Sequence, residues 1–439
     1  MSAAFDRPCR LRFATEDRMS GQASSLITTL GRAAMAVAIA GPAILTAVAA
    51  AQAQRPPTVA APAPAAAKPA AQPTPVAFPE AVRNATRALF KAVPLPPGGA
   101  KVELVVDPLV DSATGVHTKA AAEMGRRIAE IVRREFPRIA IVDFTEEALG
   151  RKPLLLIGTI TALRDVGQDT GQSAAQAPYA IWLTLAATDT GKIVAKGKSR
   201  AIPEGVDASP SPSQGDSPVW RKDDTVQAYI DSCRKTEVGE QLKPAYVDHL
   251  AASAVIADAG RAYDAGRYGQ ALALYRQSLT LAGGRQLRSL NGVYASLARL
   301  GRQQEAADAF GQVVEYGLER HDLAVKLMFR PGTARFAETR ETRAYPMWLH
   351  QIASKASSLQ SCLEVVGHTS PTGPPAVNER LSQLRAEFIR DRLDSNANGL
   401  GKRMLARGAG SRENLVGSGK DDASDMLDRR VEFKVLTCS

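Results

Sequence analysis

The sequence predicts an α+β chain of several domains: an N-terminal α/β domain, a central helical repeat pair and a C-terminal domain of β-α-β-α-β order. Three observations carry this. At 439 residues the chain exceeds what one ordinary core supports. Two stretches rich in Pro, Ala and Ser, 54–78 and 207–225, read as linkers. Between and after them the hydrophobic pattern alternates between strand-like runs and helical spacing. A hydrophobic content of 45% with 23% charged residues is that of a globular protein, so most of the chain should fold.

The first 53 residues read as a signal peptide. AAMAVAIAGPAILTAVAAA (33–51) is an apolar h-region, preceded by Arg32 and followed by Gln52-Ala53-Gln54, so cleavage is expected after Ala53. Gly41-Pro42 and the abundance of weakly apolar Ala argue against a membrane anchor. Translation starts at either Met1 or Met19. No Cys follows the h-region, which argues against a lipid-anchored N-terminus. The expected compartment is the periplasm, with outer-membrane or wall association left open. Residues 54–78, QRPPTVAAPAPAAAKPAAQPTPVAF, cannot bury a core and should form a semi-rigid tether.

Residues 79–206 alternate. KVELVVDPLV (101–110) is β-branched, 120–136 has apolar residues at helical spacing, and IAIVDF (139–144) and LLLIGTI (154–160) read as buried strands. YAIWLTLAATDTGKIVAKGKSRA (179–201) reads as a hairpin turning at Asp189-Thr190-Gly191. This order, with its "IGTI" strand and "DTGKIVAKG" hairpin, resembles the small periplasmic domain of penicillin-binding-protein activators and related curli-secretion lipoproteins.

Residues 226–322 read as helices. Gly266 and Gly301 share one spacing with Ala271 and Ala306, and Tyr275 matches Phe310, close to the roughly 34-residue period of tetratricopeptide helix pairs. The segment resembles two such repeats, which implies a place for a protein partner.

In residues 323–439, LAVKLMF (323–329), CLEVVGHT (362–369) and RRVEFKVL (429–436) read as strands. Residues 345–356 and 376–393 read as helices, the second with Leu381, Leu384, Phe388 and Leu393 on one face. Gly367-His368-Thr369, Gly373, Asn378, Leu381-Ser382, Arg385-Ala386, Gly408-x-Gly410 and Asp428-Arg429-Arg430-Val431-Glu432 together resemble the OmpA-like peptidoglycan-binding domain. The resemblance implies a cleft for the zwitterionic end of diaminopimelate in the wall peptide, with a carboxylate after the GHT strand for the ammonium and a helix Arg for the carboxylate.

The matching positions are Ser370 and Arg385. Arg suits a carboxylate because its guanidinium donates two parallel N–H···O bonds. Ser370 offers a hydroxyl without charge, so either the clamp is weakened or the fold persists as a scaffold without this ligand. Asn378 either orients the ligand or caps the helix. Arg429 and Arg430 either face the polymer or pair with Asp428 or Glu432. If the strands beginning at Cys362 and ending at Cys438 are antiparallel neighbours, their start and end meet, and a Cys362–Cys438 disulfide is expected. Cys9 leaves with the signal, and Cys233 is left free or intermolecular.

The net charge of +10 favours anionic partners, but aromatics at 5% and the lack of Lys/Arg blocks interleaved with them disfavour a nucleic-acid reader. No HExxH, CxxC, GxSxG or phosphate loop occurs, and Gly417-Ser418-Gly419-Lys420 reads as a turn. The five His residues lack ligand spacing, and His368 reads as a structural strand-end residue, so no enzyme, metal or cofactor is expected.

Overall fold

The computed structural model describes residues 74–163, 177–330, 332–338, 341–414 and 428–438. The expected signal peptide, nearly all of the first tether and the turn at 417–420 lie outside them. Helix α1 (Phe78–Lys91) opens with Pro79 in its first turn, where a missing N–H costs nothing, and buries Phe78, Ala81, Val82, Ala85 and Leu89 along one stripe. The tether therefore ends earlier than expected. Val76 already bonds both to the carbonyl of Arg200 and to the amide of Ile202, and Phe78 is core.

The first sheet contains β1 (Val102–Val106), β2 (Val110–Asp111), β3 (Ile139–Ile141), β4 (Leu154–Ala162), β5 (Tyr179–Ala187) and β6 (Ile193–Ala201) in the order β3-β1-β4-β5-β6, with β2 against β4. β1 runs parallel to β3 and β4, while β5 is antiparallel to both of its neighbours. α2 (Lys119–Glu135), capped by the Thr118 hydroxyl, supplies the crossover from β2 to β3. The short α3 (Glu146–Gly150), capped by Thr145, leads into β4. Seven of the nine residues of β4 are buried, because both of its faces are covered. Leu156 and Ile160 face α1 and α2, and Leu155 and Ile157 face the opposite way. Gly197 of β6 has no side chain because a Cβ would lie 2.2 Å from the carbonyl oxygen of Ala85 in α1.

The helices that follow are α4 (Pro212–Gly215), α5 (Asp224–Arg234), α6 (Pro244–Val247), α7 (Leu250–Asp264), α8 (Tyr268–Thr280), α9 (Leu287–Arg299) and α10 (Gln303–Glu319), of which α5, α6 and α7 close the other face of this sheet. Tyr229 of α5 binds the sheet through its hydroxyl, which accepts from Gly158 N at 2.9 Å. Residues 207–225 are not a free linker. Ser211 N donates to His117 O and Lys119 N to Ser209 O, while Val219 and Trp220 are buried. Here two apolar residues and a set of satisfied backbone groups outweigh the Pro/Ser composition. Gly266 and Gly301, both with φ near +75°, end α7 and α9 in the same way, each followed by a residue whose amide reaches back to the carbonyl five residues earlier. The shared spacing in the sequence therefore marks two helical hairpins with the same turn.

The last sheet holds β7 (Leu323–Val325), β8 (Cys362–His368), β9 (Met404–Gly410) and β10 (Val431–Leu436) in the order β7-β10-β8-β9, with α11 (Tyr345–Ser358) and α12 (Pro375–Asn396) against it. β10 is antiparallel to β7 and β8, and β8 is parallel to β9. The expected β-α-β-α-β order lacks β9. That strand reads MLARGAG, and its glycines hide it from a search for β-branched runs. One core runs from the helical hairpins into this region. Trp348 of α11 stacks on Phe310 of α10 at 5.3 Å and donates to the Tyr294 hydroxyl of α9 at 2.7 Å.

Candidate functional site

Two glycines and two small helix residues set the geometry. A Cβ at Gly367 in β8 would lie 2.2 Å from the Ser382 carbonyl oxygen, and one at Gly408 in β9 would lie 2.6 Å from Gln383 N. α12 therefore rests on bare backbone of both strands, and the Ser382 hydroxyl accepts from Gly410 N at 2.8 Å. This close seat rotates the helix away from the face that periodicity selects. Leu384 is 40% exposed, while Ser382, Arg385, Ala386, Ile389 and Leu393 are buried. The requirement for small contacts overrides the leucine stripe.

The seat carries Arg385 inward until it is only 2% exposed. Its Nε donates to the carbonyl of Thr333 at 3.0 Å and an Nη donates to that of Arg330 at 3.5 Å, with the Phe329 ring 4.8 Å from the guanidinium carbon. The segment between β7 and α11 thus supplies oxygen acceptors and an aromatic face to the Arg for which the OmpA-like resemblance implies a ligand carboxylate. Nothing in its sequence marks these partners, since two of them are main-chain atoms. Asn378 lies inside α12, and its side-chain amide donates to the carbonyls of Thr372 (3.2 Å) and Gly373 (3.5 Å). It ties down the loop that Ser370 opens and is not the helix cap, which is Pro374. Ser370 is 6% exposed just beyond the end of β8.

The Cys362 and Cys438 side chains form a disulfide, with their Cα atoms 5.4 Å apart, where antiparallel β10 ends beside the start of β8. Cys233 is a free, buried thiol, pushed up to about 11 by burial, so it is an inert core residue rather than an intermolecular link.

Arg430 is buried, with an Nη 2.6 Å from Glu432, and a further bond goes to the Glu413 carbonyl. Between facing the polymer and pairing with Glu432, it takes the second role. Arg221 lies 3.5 Å from the same carboxylate and also pairs with Asp322. His368 Nε2 is 3.6 Å from Glu432, beyond hydrogen-bond reach, and burial lowers the imidazole's pKa. Burial would raise Glu432, but the charges of Arg430 and Arg221 outweigh it and hold the carboxyl well below the usual carboxylate range. His368, Glu413 and Glu432 place possible ligand atoms within 4.8 Å of one another, a grouping absent from the linear spacing. With two guanidinium groups already on Glu432, the arrangement is a structural charge network that ties β10 to the segment before α5. Arg429 beside it is half-buried.

No family model matches the chain, and no curated protein is similar to it. Solved structures similar to a part of it are OmpA-like domains and their relatives. The peptidoglycan-associated lipoprotein from Burkholderia pseudomallei is 25% identical over 25% of this chain and 88% of its own, with a TM-score of 0.22. The periplasmic domain of Helicobacter pylori MotB is 16% identical over 27% of this chain and 76% of its own, with a TM-score of 0.23. The OmpA-like domain of FopA1 from Francisella tularensis is 18% identical over 27% and 77%, with a TM-score of 0.21. No helix among the described residues is long and apolar enough to cross a membrane.

Proposed function

We propose that the protein is a non-enzymatic component of the cell envelope, exported to the periplasm, which engages peptidoglycan through residues 323–439 and holds protein partners through its upstream modules. In this reading residues 79–206 are an activator-like domain and residues 226–322 a tetratricopeptide-like pair. The supporting observation is the seating of α12 on Gly367 and Gly408, which brings Arg385 and Asn378 to the loop-bearing end of β8. Ser370 and Arg385 form a weakened clamp for the diaminopimelate end of the wall peptide, with the ligand carboxylate taking over donors that Arg385 now gives to backbone carbonyls.

A second reading is favoured by those same bonds. A guanidinium already engaged by Thr333, Arg330 and Phe329, in a chain with an uncharged Ser370 at the other clamp position, suits a fold retained for docking. The protein would then be a regulator or scaffold for cell-wall synthases that does not bind the wall.

Binding of the full chain to isolated sacculi separates the two, because residues 323–439 share a core with the helices before them. The first reading expects sedimentation with sacculi that is lost in Arg385→Ala and strengthened in Ser370→Asp. If the native chain and Ser370→Asp both stay in solution, that reading fails, and co-purification of a synthase tests the second.

A further inference from the structure

At Asp107-Pro108 the chain passes from the carboxyl end of the parallel strand β1 into β2, at the end of the strands where open α/β sheets present their crevices. Beside that exit, between the 108–117 segment and helices α7, α8 and α9, lies a cavity of about 80 Å³. One water needs only roughly 10–15 Å³ by the same measure, so there is room for a small organic molecule.

Two hydrogen-bond donors on its wall are unspent. Tyr275 is 4% exposed, and its ring is fixed against Gly292, where a Cβ would lie 2.4 Å from it. Its hydroxyl stands beside Gly260, and among the described residues it has no hydrogen-bond partner. Arg288 is half-buried, with its Nε buried and unpartnered. One Nη reaches only the neutral oxygens of Ser253 (3.2 Å) and Gln286 (3.0 Å), and among the described residues no carboxylate forms an ion pair with it. Arg261, also on the wall, is already paired with Asp258. A guanidinium with an unspent Nε and no ion-paired carboxylate among the described residues, beside a phenol with an unspent hydroxyl, suits a carboxylate.

The opposite wall carries acceptors. His117 Nδ1 lies 2.6 Å from the Leu109 carbonyl and must donate to it, which leaves Nε2 as an acceptor on the neutral ring. Burial keeps that ring neutral by lowering its pKa. Asp264 takes Ser213 N at 2.7 Å on one oxygen and brings a negative charge to the rim. Asp264 and Arg288 line the same recess as Tyr275.

We propose that this cavity is a binding site for a small free amino acid, its carboxylate on Arg288 and Tyr275 and its ammonium toward Asp264 and His117.

Saturation-transfer NMR on the full chain, with glycine and both enantiomers of alanine as probes, tests this. Acetate, methylamine and sodium chloride at matched ionic strength are the controls. Glycine or an alanine should show transfer, and acetate should bind about tenfold more weakly for want of the charge-assisted contact to Asp264. Tyr275→Phe, which keeps the packed ring, and Arg288→Gln should each lose the signal while retaining native circular dichroism. Asp264→Asn should bring glycine and acetate to equal affinity. No transfer to any of the three amino acids, acetate binding as well as glycine, or unchanged binding in folded Tyr275→Phe and Arg288→Gln would each overturn the assignment.

Discussion

Gly367 and Ser382 touch backbone to backbone: the carbonyl oxygen of Ser382 fills the place where residue 367 would carry its Cβ, 2.2 Å from that position. No flexible side chain is available there to move aside. Gly367→Ala must therefore push α12 off β8, and overpacking of this kind costs about 1–3 kcal/mol. Denaturant titration at constant m-value measures it. The same substitution at Gly373, whose surroundings are open, lacks the contact penalty and bears only the strain of its φ of +92°. If Gly367→Ala proves no more costly than Gly373→Ala, the close seat does not exist.

The disulfide closes a loop between residues 76 positions apart, and cross-links of that span stabilise by about 2–4 kcal/mol. Reduction, or Cys362→Ser with Cys438→Ser, should lower the Tm measurably. Cys233→Ser should leave the response to reductant unchanged, because that thiol is buried away from the bridge. A Tm insensitive to dithiothreitol would contradict the bridge.

Asp107 gives the molecule a pH dependence with a definite sign. Burial raises its carboxyl from 3.8 to about 6, against the attraction of Arg288 and the Tyr246 hydroxyl bond of 2.6 Å. Between those values the native state holds a proton that the unfolded chain has lost. The contribution to stability is therefore complete below about pH 4 and is lost as pH rises through about 6. A carboxamide in its place cannot ionise, so stability curves of Asp107→Asn and the native chain should diverge in favour of the variant by about 3 kcal/mol between pH 4 and pH 8. Parallel curves would mean that Asp107 titrates normally.

What the sequence discloses depends on whether a feature is carried by side-chain pattern or by backbone. α2, β4 and the hairpin at Gly191 are patterns, and they stand where periodicity and turn chemistry put them. The two helical hairpins are legible because Gly266 and Gly301 must both adopt positive φ. β9 is not legible, since its glycines serve the helix lying on it. The buried face of α12 is misread for the same reason: close approach selects Ser382 and Ala386 over Leu384. At the candidate site the motif brings Asn378 and Arg385 to attention, but the acceptors that Arg385 meets are carbonyls, which any residue would offer. Arg221 reaches Glu432 from 211 residues away, and no local spacing can announce such a pair.

Gly260 opposes stability to the proposed cavity. It sits inside α7, where glycine costs about 1 kcal/mol relative to alanine, and a Cβ there would meet nothing closer than the Tyr275 hydroxyl at 3.8 Å. Gly260→Ala should therefore stabilise the protein by up to about 1 kcal/mol in denaturant titration. The added methyl also enters the recess beside Tyr275 and Arg288, so the same variant should bind glycine more weakly in the saturation-transfer experiment. A more stable protein with unchanged binding would place the ligand elsewhere, whereas a less stable one would mean that the helix is more tightly packed at this point than the 3.8 Å contact allows.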